Sequence, residues 1–421
     1  MSKSEGGGMA EVLVVADDLT GSNATGALFS RQGMRAVTVS ETCHGLRHGA
    51  SADVVVVNIG SRHFPAERAR AEAARVAEEL GDGVRLMVKR VDTTLRGNVG
   101  AELAGVLEVL RRTAPRARAL CVPAFPGAGR TTVGGVHLVD GVPLTETDAA
   151  RDPLSPIAAS RVATLLRGQS DLTVGEIALD TVQAGHDELV RALGADRSDA
   201  LVCDAVTPGH MAALARAAAA VAVATGEPWL SVDSGPFGAA LAAELGIGGA
   251  PRPILVIAGS ITARTAEQLA EARQILGARY APVTELDEDT LTAGVLALLD
   301  AGASVAGIAM PAIDFDPALA ERIPALLGAV ARRVVDTGRV GGVYATGGDV
   351  SVAVVNALEA EGFAIDAEVQ PLAVAGRLVG GPHAGFPFAA KGGLIGDREA
   401  AVACIEHLRM ITVQQERESD R

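Results

Sequence analysis

Short apolar runs alternate with amphipathic stretches along most of this chain. Val12–Ala16, Ala36–Val39, Val54–Asn58, Val84–Val88, Ala119–Val122, Val174–Ile177, Ala200–Cys203 and Trp229–Val232 are each four or five residues long and mostly rich in Val, Ile, Leu and Ala. Such runs read as buried strands, and the 3.6-residue periodicity between many of them reads as helix. The pattern predicts an α/β domain to about residue 245. A Gly/Pro-rich stretch, Gly246 to Pro253, is the best linker. A fresh strand at Ile254–Ala258 opens a second α/β pattern: helix 262–276, strand 305–309, helix 317–337, strand 341–345 and helix 349–361. The expectation is therefore two α/β domains, 1–245 and 252–421, with a ligand cleft between them. Residues 1–10 read as a floppy leader, and the tail after about residue 410 as a fraying end.

Composition narrows the class. The chain has 421 residues, 48% of them hydrophobic but only 3% aromatic, so its cores are built from small aliphatics. The net charge of −14 argues against nucleic acid as a partner. The longest apolar run, near Ala212 to Ala224, contains Arg216 and reads as a buried helix, with no membrane span. The four cysteines are scattered, without C-x-x-C spacing, which speaks against zinc and for a reducing cytoplasm.

Polar residues crowd the ends of the predicted strands, where open α/β sheets bind ligands. The densest run is Lys89-Arg90-Val91-Asp92-Thr93-Thr94-Leu95-Arg96-Gly97-Asn98. Lys89 and Arg96 can hold an anion, and Asp92 can accept a proton from a hydroxyl. Asp17-Asp18-Leu19-Thr20-Gly21 follows the first strand. Its two readings are helix capping and the binding of sugar hydroxyls. Arg62, after the third strand, either forks onto a carboxylate or is a surface arginine. The loop Pro123 to Thr132 carries Pro, Gly and Arg130 but has no lysine before its hydroxyls, so it is not a Walker loop.

The second half has three glycine-containing turns between strand and helix: Gly259-Ser260, Thr346-Gly347-Gly348-Asp349, and Lys391-Gly392-Gly393. Glycine allows a tight turn, and it also bares backbone N–H groups for phosphate. Three such turns in one domain favour a nucleotide. No G-x-G-x-x-G follows the first strand.

Taken in order, ADDLTG, NIGSRH, KRVDTTLRGNVGAE, VPAFPGAGRTTVGG, GVPLTET, DPLSP, GSITARTAEQL, TGGDVS and KGGLIG resemble the four-carbon acid sugar kinase family over nearly the whole chain. The resemblance implies that the first domain binds the acid sugar and the second binds ATP, with Mg²⁺. It implies phosphorylation of the terminal hydroxyl of a tetronate or oxo-tetronate. Carried over by position, Asp17, Asp18, Arg62, Lys89, Asp92 and Arg96 form the sugar site, with Asp92, Lys89 and Arg96 catalytic. Ser260, Gly347, Gly348, Asp349, Val350 and Gly393 contact ATP. The metal ligands are unassigned. Three positions depart from the family pattern: Val350 stands where a hydroxyl is usual, Ile395 where an aromatic is usual, and Gln370 to Ala373 replace a Pro-Gly-Val-Pro stretch. The partner expected is a small anionic sugar acid, in a cytoplasmic protein that could form a homodimer. The rival readings are a kinase of another hydroxy acid or polyol, and a sugar-acid sensor without turnover.

Overall fold

A computed structural model describes residues 10–40, 52–248, 252–311 and 317–419. Residues 1–9 of the predicted leader and the centre of the predicted linker, residues 249–251, lie outside the described residues. The chain divides into two compact units, residues 1–30 with 34–250 and residues 31–33 with 251–421.

Unit 1 is built on a parallel sheet. Its strands are β1 (Val12–Ala16), β2 (Ala36–Ser40), β3 (Val54–Asn58), β4 (Leu86–Arg90), β5 (Arg118–Val122), β9 (Val174–Ile177), β10 (Ala200–Cys203) and β11 (Trp229–Asp233). They lie in the order β2-β3-β1-β4-β11-β5-β10-β9. Alternation along β1 shows why both faces are covered. Val12, Val14 and Ala16 join one core with Phe29, Met211, Leu214 and Phe237; Leu13 and Val15 join another with Val76, Leu103 and Leu107. Helix α1 (Leu19–Arg31) and helices α7 (Pro208–Thr225) and α8 (Pro236–Glu244) cover the first face. Helices α2 (Ala66–Leu80) and α3 (Val99–Thr113) cover the second. The chain leaves β1 toward β2 on one side and later reaches β4 on the other, so the strand order reverses between β1 and β4.

Two features escape the apolar pattern. Strand β4 runs two residues further than predicted, so Lys89 and Arg90 lie inside it. They pair with Val15 and Ala16 of β1 and with Val232 and Asp233 of β11. The loop after β5 folds into a small antiparallel sheet of β6 (Arg130–Val133), β7 (Val136–Val139) and β8 (Val142–Pro143).

Unit 2 repeats the plan. Strands β12 (Ile254–Ala258), β13 (Arg279–Ala281), β14 (Val305–Ala309), β15 (Gly342–Thr346), β16 (Gly362–Gln370), β17 (Ala373–Val379) and β18 (Pro387–Lys391) form one sheet in the order β13-β14-β12-β15-β18-β17-β16. The first five are parallel; β17 and β16 add an antiparallel edge that the sequence reading missed. Helices α9 (Ala263–Leu276) and α13 (Ala400–Ser419) pack on one face, with α11 (Pro317–Asp336) and α12 (Gly348–Ala357) on the other. The tail is not frayed after residue 410. Ile411 and Val413 are buried and continue the apolar stripe of α13. No helix among the described residues is long and apolar enough to cross a membrane.

Candidate functional site: a charged cluster and a glycine cradle

The loops that follow β1, β3 and β4 bring Asp17, Asp18, Arg62, Asp92 and Arg96 together at the carboxyl ends of neighbouring strands. Arg62 is the hub. Its Nε lies 2.7 Å from Asp17 Oδ2, its Nη1 3.2 Å from Asp18 Oδ2, and its Nη2 3.3 Å from Asp92 Oδ1. That last contact is an ion pair without hydrogen-bond alignment, so Nη2 is a buried donor still unspent. Asp17 and Asp92 are buried, while Asp18 is partly open. Asp18 serves both readings of its motif: Oδ1 caps α1 by accepting from Gly21 N at 2.9 Å, and its carboxylate also pairs with two arginines.

The Asp92 loop is held tightly. Thr94 Oγ1 donates to Asp92 Oδ2 at 2.5 Å, and Arg96 forks onto both carboxylate oxygens at 2.9 and 3.1 Å. Leu95, a non-glycine residue at φ 59°, turns the chain, and Gly97 at φ 89° continues it. Asn98 Nδ2 donates to the carbonyls of Ser61 and Phe64, tying this loop to the one that carries Arg62. Burial alone would raise the Asp92 carboxyl. The hydrogen bonds from Arg96 and Thr94 and the charges of Arg62 and Arg96 outweigh it and hold the group well below the usual carboxylate range. Burial likewise opposes the charge on Arg62, and its carboxylate partners override that and raise it.

Lys89 is placed elsewhere. Side chains alternate across a strand, so Lys89 faces α3 while Arg90 faces α1. The Lys89 ammonium is 1% exposed and lies 2.7 Å from Glu102 Oε2. Glu102 also accepts from Ser61 Oγ at 2.5 Å. Burial pushes the Glu102 carboxyl up against the pull of Lys89. Arg90 instead enters the cluster, with Nη1 3.0 Å from Asp18 Oδ1 and 3.5 Å from Asp17 Oδ1, and with its Nε buried and unpartnered. The sequence reading passed over Arg90 because it treated both residues as loop. Asp152, from the DPLSP segment, was also missed; it takes Arg96 Nη1 at 3.1 Å.

In unit 2 the three glycine turns follow β12, β15 and β18, which are adjacent strands. Gly347 N donates to Lys391 O at 2.9 Å, and Gly259 N to Thr346 O at 3.2 Å. Thr262 and Thr265 donate to Gly393 O at 2.8 and 3.0 Å, and Thr265 Oγ1 lies 3.0 Å from Ser260 Oγ, from which it can accept. Ser260, Gly347 and Gly393 therefore meet. A Cβ on Gly393 would lie 2.3 Å from Ser260 Oγ and 2.9 Å from its Cβ, so any larger residue there would push Ser260 aside. Gly347 sits at φ 105°. Gly348 and Asp349 are exposed in the first turn of α12, but the Val350 side chain is buried against Gly259. Only the main chain of Val350 can face a ligand. Lys391 is 2% exposed and donates to the carbonyls of Gly392 and Ile395, so it shapes its own turn. Beside Asp349 lies a groove of about 610 Å³ lined by Pro324, Ala325, Val352, Ala353, Asn356 and Ala357. Among the described residues, no three His, Cys, Asp or Glu side chains group to hold a metal ion by themselves.

Known proteins match this division. Residues 12–241 match a family model described as a sugar-binding N-terminal domain, and residues 255–401 one described as a nucleotide-binding C-terminal domain. The chain is 37% identical to a D-erythronate kinase of Heliobacterium modesticaldum, across 95% of this chain and 97% of the relative. It is 31% identical to a D-threonate kinase of Salmonella typhimurium, across 92% and 95%. A crystal structure from Bordetella bronchiseptica, a domain-swapped dimer with bound citrate, is 32% identical with a TM-score of 0.69, covering 96% of this chain and 99% of that one.

Proposed function

The chain belongs to the four-carbon acid sugar kinase family, and from that premise we propose that it is an ATP-dependent kinase that phosphorylates the terminal hydroxyl of a tetronate or oxo-tetronate. The observation that carries this reading is the cluster at the strand-order reversal of unit 1. Three guanidiniums, Arg62, Arg90 and Arg96, interleave with Asp17, Asp18 and Asp92. A hydroxylated acid needs that combination: forked donors for its carboxylate and fixed acceptors for its hydroxyls.

Phosphoryl transfer asks the protein mainly to hold and to neutralise, with little covalent work. Asp92 is held too acidic to be a strong base, so its task is to accept the hydrogen bond of the attacking hydroxyl and aim its oxygen. The proton can pass late, once the O–P bond is forming, to Asp92 or to an oxygen of the transferred phosphoryl group, because the transition state is loose. Arg62 and Arg96 hold the acid group and offset charge. Lys89, locked to Glu102, supports the floor of the site and does not reach for the substrate. The turns at Ser260, Gly347–Gly348 and Gly393 offer main-chain N–H groups and the N-terminus of α12 to the phosphates. The apolar groove beside Asp349 suits a purine face. Mg²⁺ fits here as an ion carried in by the nucleotide, since such ions keep water and phosphate oxygens and need only one or two carboxylates. Asp349, exposed in the first turn of α12, is the carboxylate that would hold it, and the ion would neutralise the transferring phosphoryl group.

The relative named for D-erythronate makes that acid the first substrate to try. A nucleotide-consuming enzyme of this kind works in the cytoplasm, and the dimeric neighbour makes a homodimer the assembly to test by light scattering. The deciding experiment measures ADP release with D-erythronate, D-threonate, a 3-oxo-tetronate and erythritol. At least one acid should turn over, and the neutral polyol should fall behind it by at least about tenfold in kcat/KM. Equal rates on acid and polyol would favour a polyol kinase. Binding of an acid without ADP release would favour a sensor.

A further inference from the structure

We infer that His137 is a positioning residue for the transfer: through its imidazole, the β6–β7 hairpin braces the Asp92 loop. His137 and Thr132 face each other in the hairpin register, and both are fully buried. His137 Nε2 lies 3.1 Å from the carbonyl oxygen of Thr93, and Nδ1 lies 3.0 Å from Thr132 Oγ1. A carbonyl can only accept. Nε2 therefore carries the hydrogen, and Nδ1 accepts from the Thr132 hydroxyl.

The hairpin behind this imidazole is itself fastened. Thr132 and Ala205 exchange main-chain hydrogen bonds of 2.9 and 3.1 Å. Asp204, 1% exposed, accepts from Gly134 N at 2.6 Å, Gly135 N at 2.9 Å and Leu179 N at 3.0 Å. His137 N donates to Ser160 O at 2.8 Å. The chain of support thus runs from the end of β10, through the hairpin and the imidazole, to Thr93. The loop needs such support, because Leu95 at φ 59° sits where a side chain is strained. Strained residues persist only where the surroundings over-determine them. This assigns a purpose to the VPAFPGAGRTTVGGVH stretch, whose histidine reaches the Asp92 loop at Thr93.

The ring works uncharged. Burial, with Arg130 adding to it, pushes His137 down to about 4, against the pulls of the Thr93 hydrogen bond and the Asp92 charge. It stays neutral, in one tautomer, wherever the enzyme would operate.

The inference rests on the kinase reading for its kinetic arm only. His137→Leu removes both ring contacts; His137→Gln keeps an amide donor near Thr93. With the full chain, ATP and the best tetronate, the Leu variant should lose about 10- to 100-fold in kcat, with KM for ATP within roughly twofold, since small misplacements of an aligned group cost that much. The Gln variant should recover most of the loss. Independently of turnover, histidine ¹⁵N NMR should show His137 protonated at Nε2 and not titrating between pH 5 and 9. Backbone resonances of Asp92–Arg96 should shift in the Leu variant and return in the Gln variant. A folded Leu variant with unchanged kcat overturns the brace. So does a loss that merely follows the fraction folded and is not rescued by Gln, or a His137 ring that titrates near its ordinary value. If no acid turns over in the wild type, the kinase reading falls, and the NMR arm still decides the brace.

Discussion

Gly21→Ala should damage acid-sugar recognition while barely touching the fold. Gly21 lies in the first turn of α1, and a Cβ placed on it would sit 1.8 Å from Arg90 Nη1, 1.9 Å from Cζ and 2.5 Å from Nη2. Ordinary contacts between heavy atoms are ~3.5–4 Å, so the guanidinium must retreat by roughly 2 Å. Its 3.0 Å contact with Asp18 then opens beyond hydrogen-bond reach. Arg90 is only 5% exposed, so its displaced charge has little access to water. Overpacking of this kind costs about 1–3 kcal/mol, and replacing Gly by Ala inside a helix returns ~1 kcal/mol. The net loss of stability should be ~0–2 kcal/mol, measurable by urea unfolding. Asp18 meanwhile keeps only Arg62, so KM for the acid should rise at least about tenfold, which is ~1.4 kcal/mol. KM for ATP should hold. Gly26→Ala, in the same helix, is the control, because its Cβ would meet nothing closer than 3.6 Å. It should leave both KM values unchanged. An acid KM within twofold of wild type in Gly21→Ala, or an equal rise for ATP, would refute the role given to Arg90.

Asp92→Asn should lower kcat by at least about 10²-fold with the fold intact, because an amide has one acceptor oxygen and no charge with which to aim the hydroxyl and hold Arg62 and Arg96, and misplacement of an aligned group costs that much; a well-folded variant within roughly threefold of wild type would remove Asp92 from the chemistry. The depressed folded-state pKa of Asp92 adds stability that is full above the unfolded carboxylate value and drains as pH falls through and below it, so the variant should lose less stability on acidification than wild type, read by urea titrations across that range. Arg62→Lys and Arg96→Lys should each raise KM for the acid and leave KM for ATP nearly unchanged, since lysine cannot reproduce the fork; an unaltered acid KM in both would show that the carboxylate is read elsewhere.

Most of the α/β order was legible because both sheets are largely parallel and covered on both sides, so their strands read as unbroken apolar runs. The misreadings came where charge or pairing broke that rule. Strand β4 ends in Lys89 and Arg90, which no apolar window includes, yet each is neutralised by a helix on its own face: Glu102 of α3 for one, Asp18 at the start of α1 for the other. Glu102 lies 13 positions along the chain from Lys89, so local spacing carried no signal of their pairing. The β16–β17 edge was hidden because it is a ragged half-exposed hairpin with two register shifts. The same limit applied to the site. The residue types and their place at strand ends were readable, but which arginine meets which aspartate depends on strand order. Asp152 and His137 belong to the stretch between the predicted strands 119–122 and 174–177, where the sequence showed no regular element, and only folding brings them to Arg96 and Thr93.

Charge counting shows what the proposed anion site of this acidic protein would have to rely on. The unit 1 cluster holds four carboxylates, Asp17, Asp18, Asp92 and Asp152, against three guanidiniums, with Lys89 and Glu102 cancelling separately. Its sum is negative, so attraction by net charge cannot be what draws the acid. What the cluster offers is donors in fixed places. Arg62 Nη2 and Arg90 Nε are buried and donate no hydrogen bond, Arg62 Nη2 having only its 3.3 Å ion pair with Asp92. On the proposed reading, a ligand carboxylate would take donors of this kind, while the surrounding aspartates would accept from the hydroxyls of the same ligand. Such a cluster would suit a molecule that is both acid and polyol. A bare anion would meet the arginines but leave the aspartates repelling it, and a bare polyol would satisfy the aspartates but leave the arginines unspent. On the proposed reading, selectivity for a hydroxylated acid would follow from the interleaving of the two kinds of group, which neither the overall charge of −14 nor any single motif discloses.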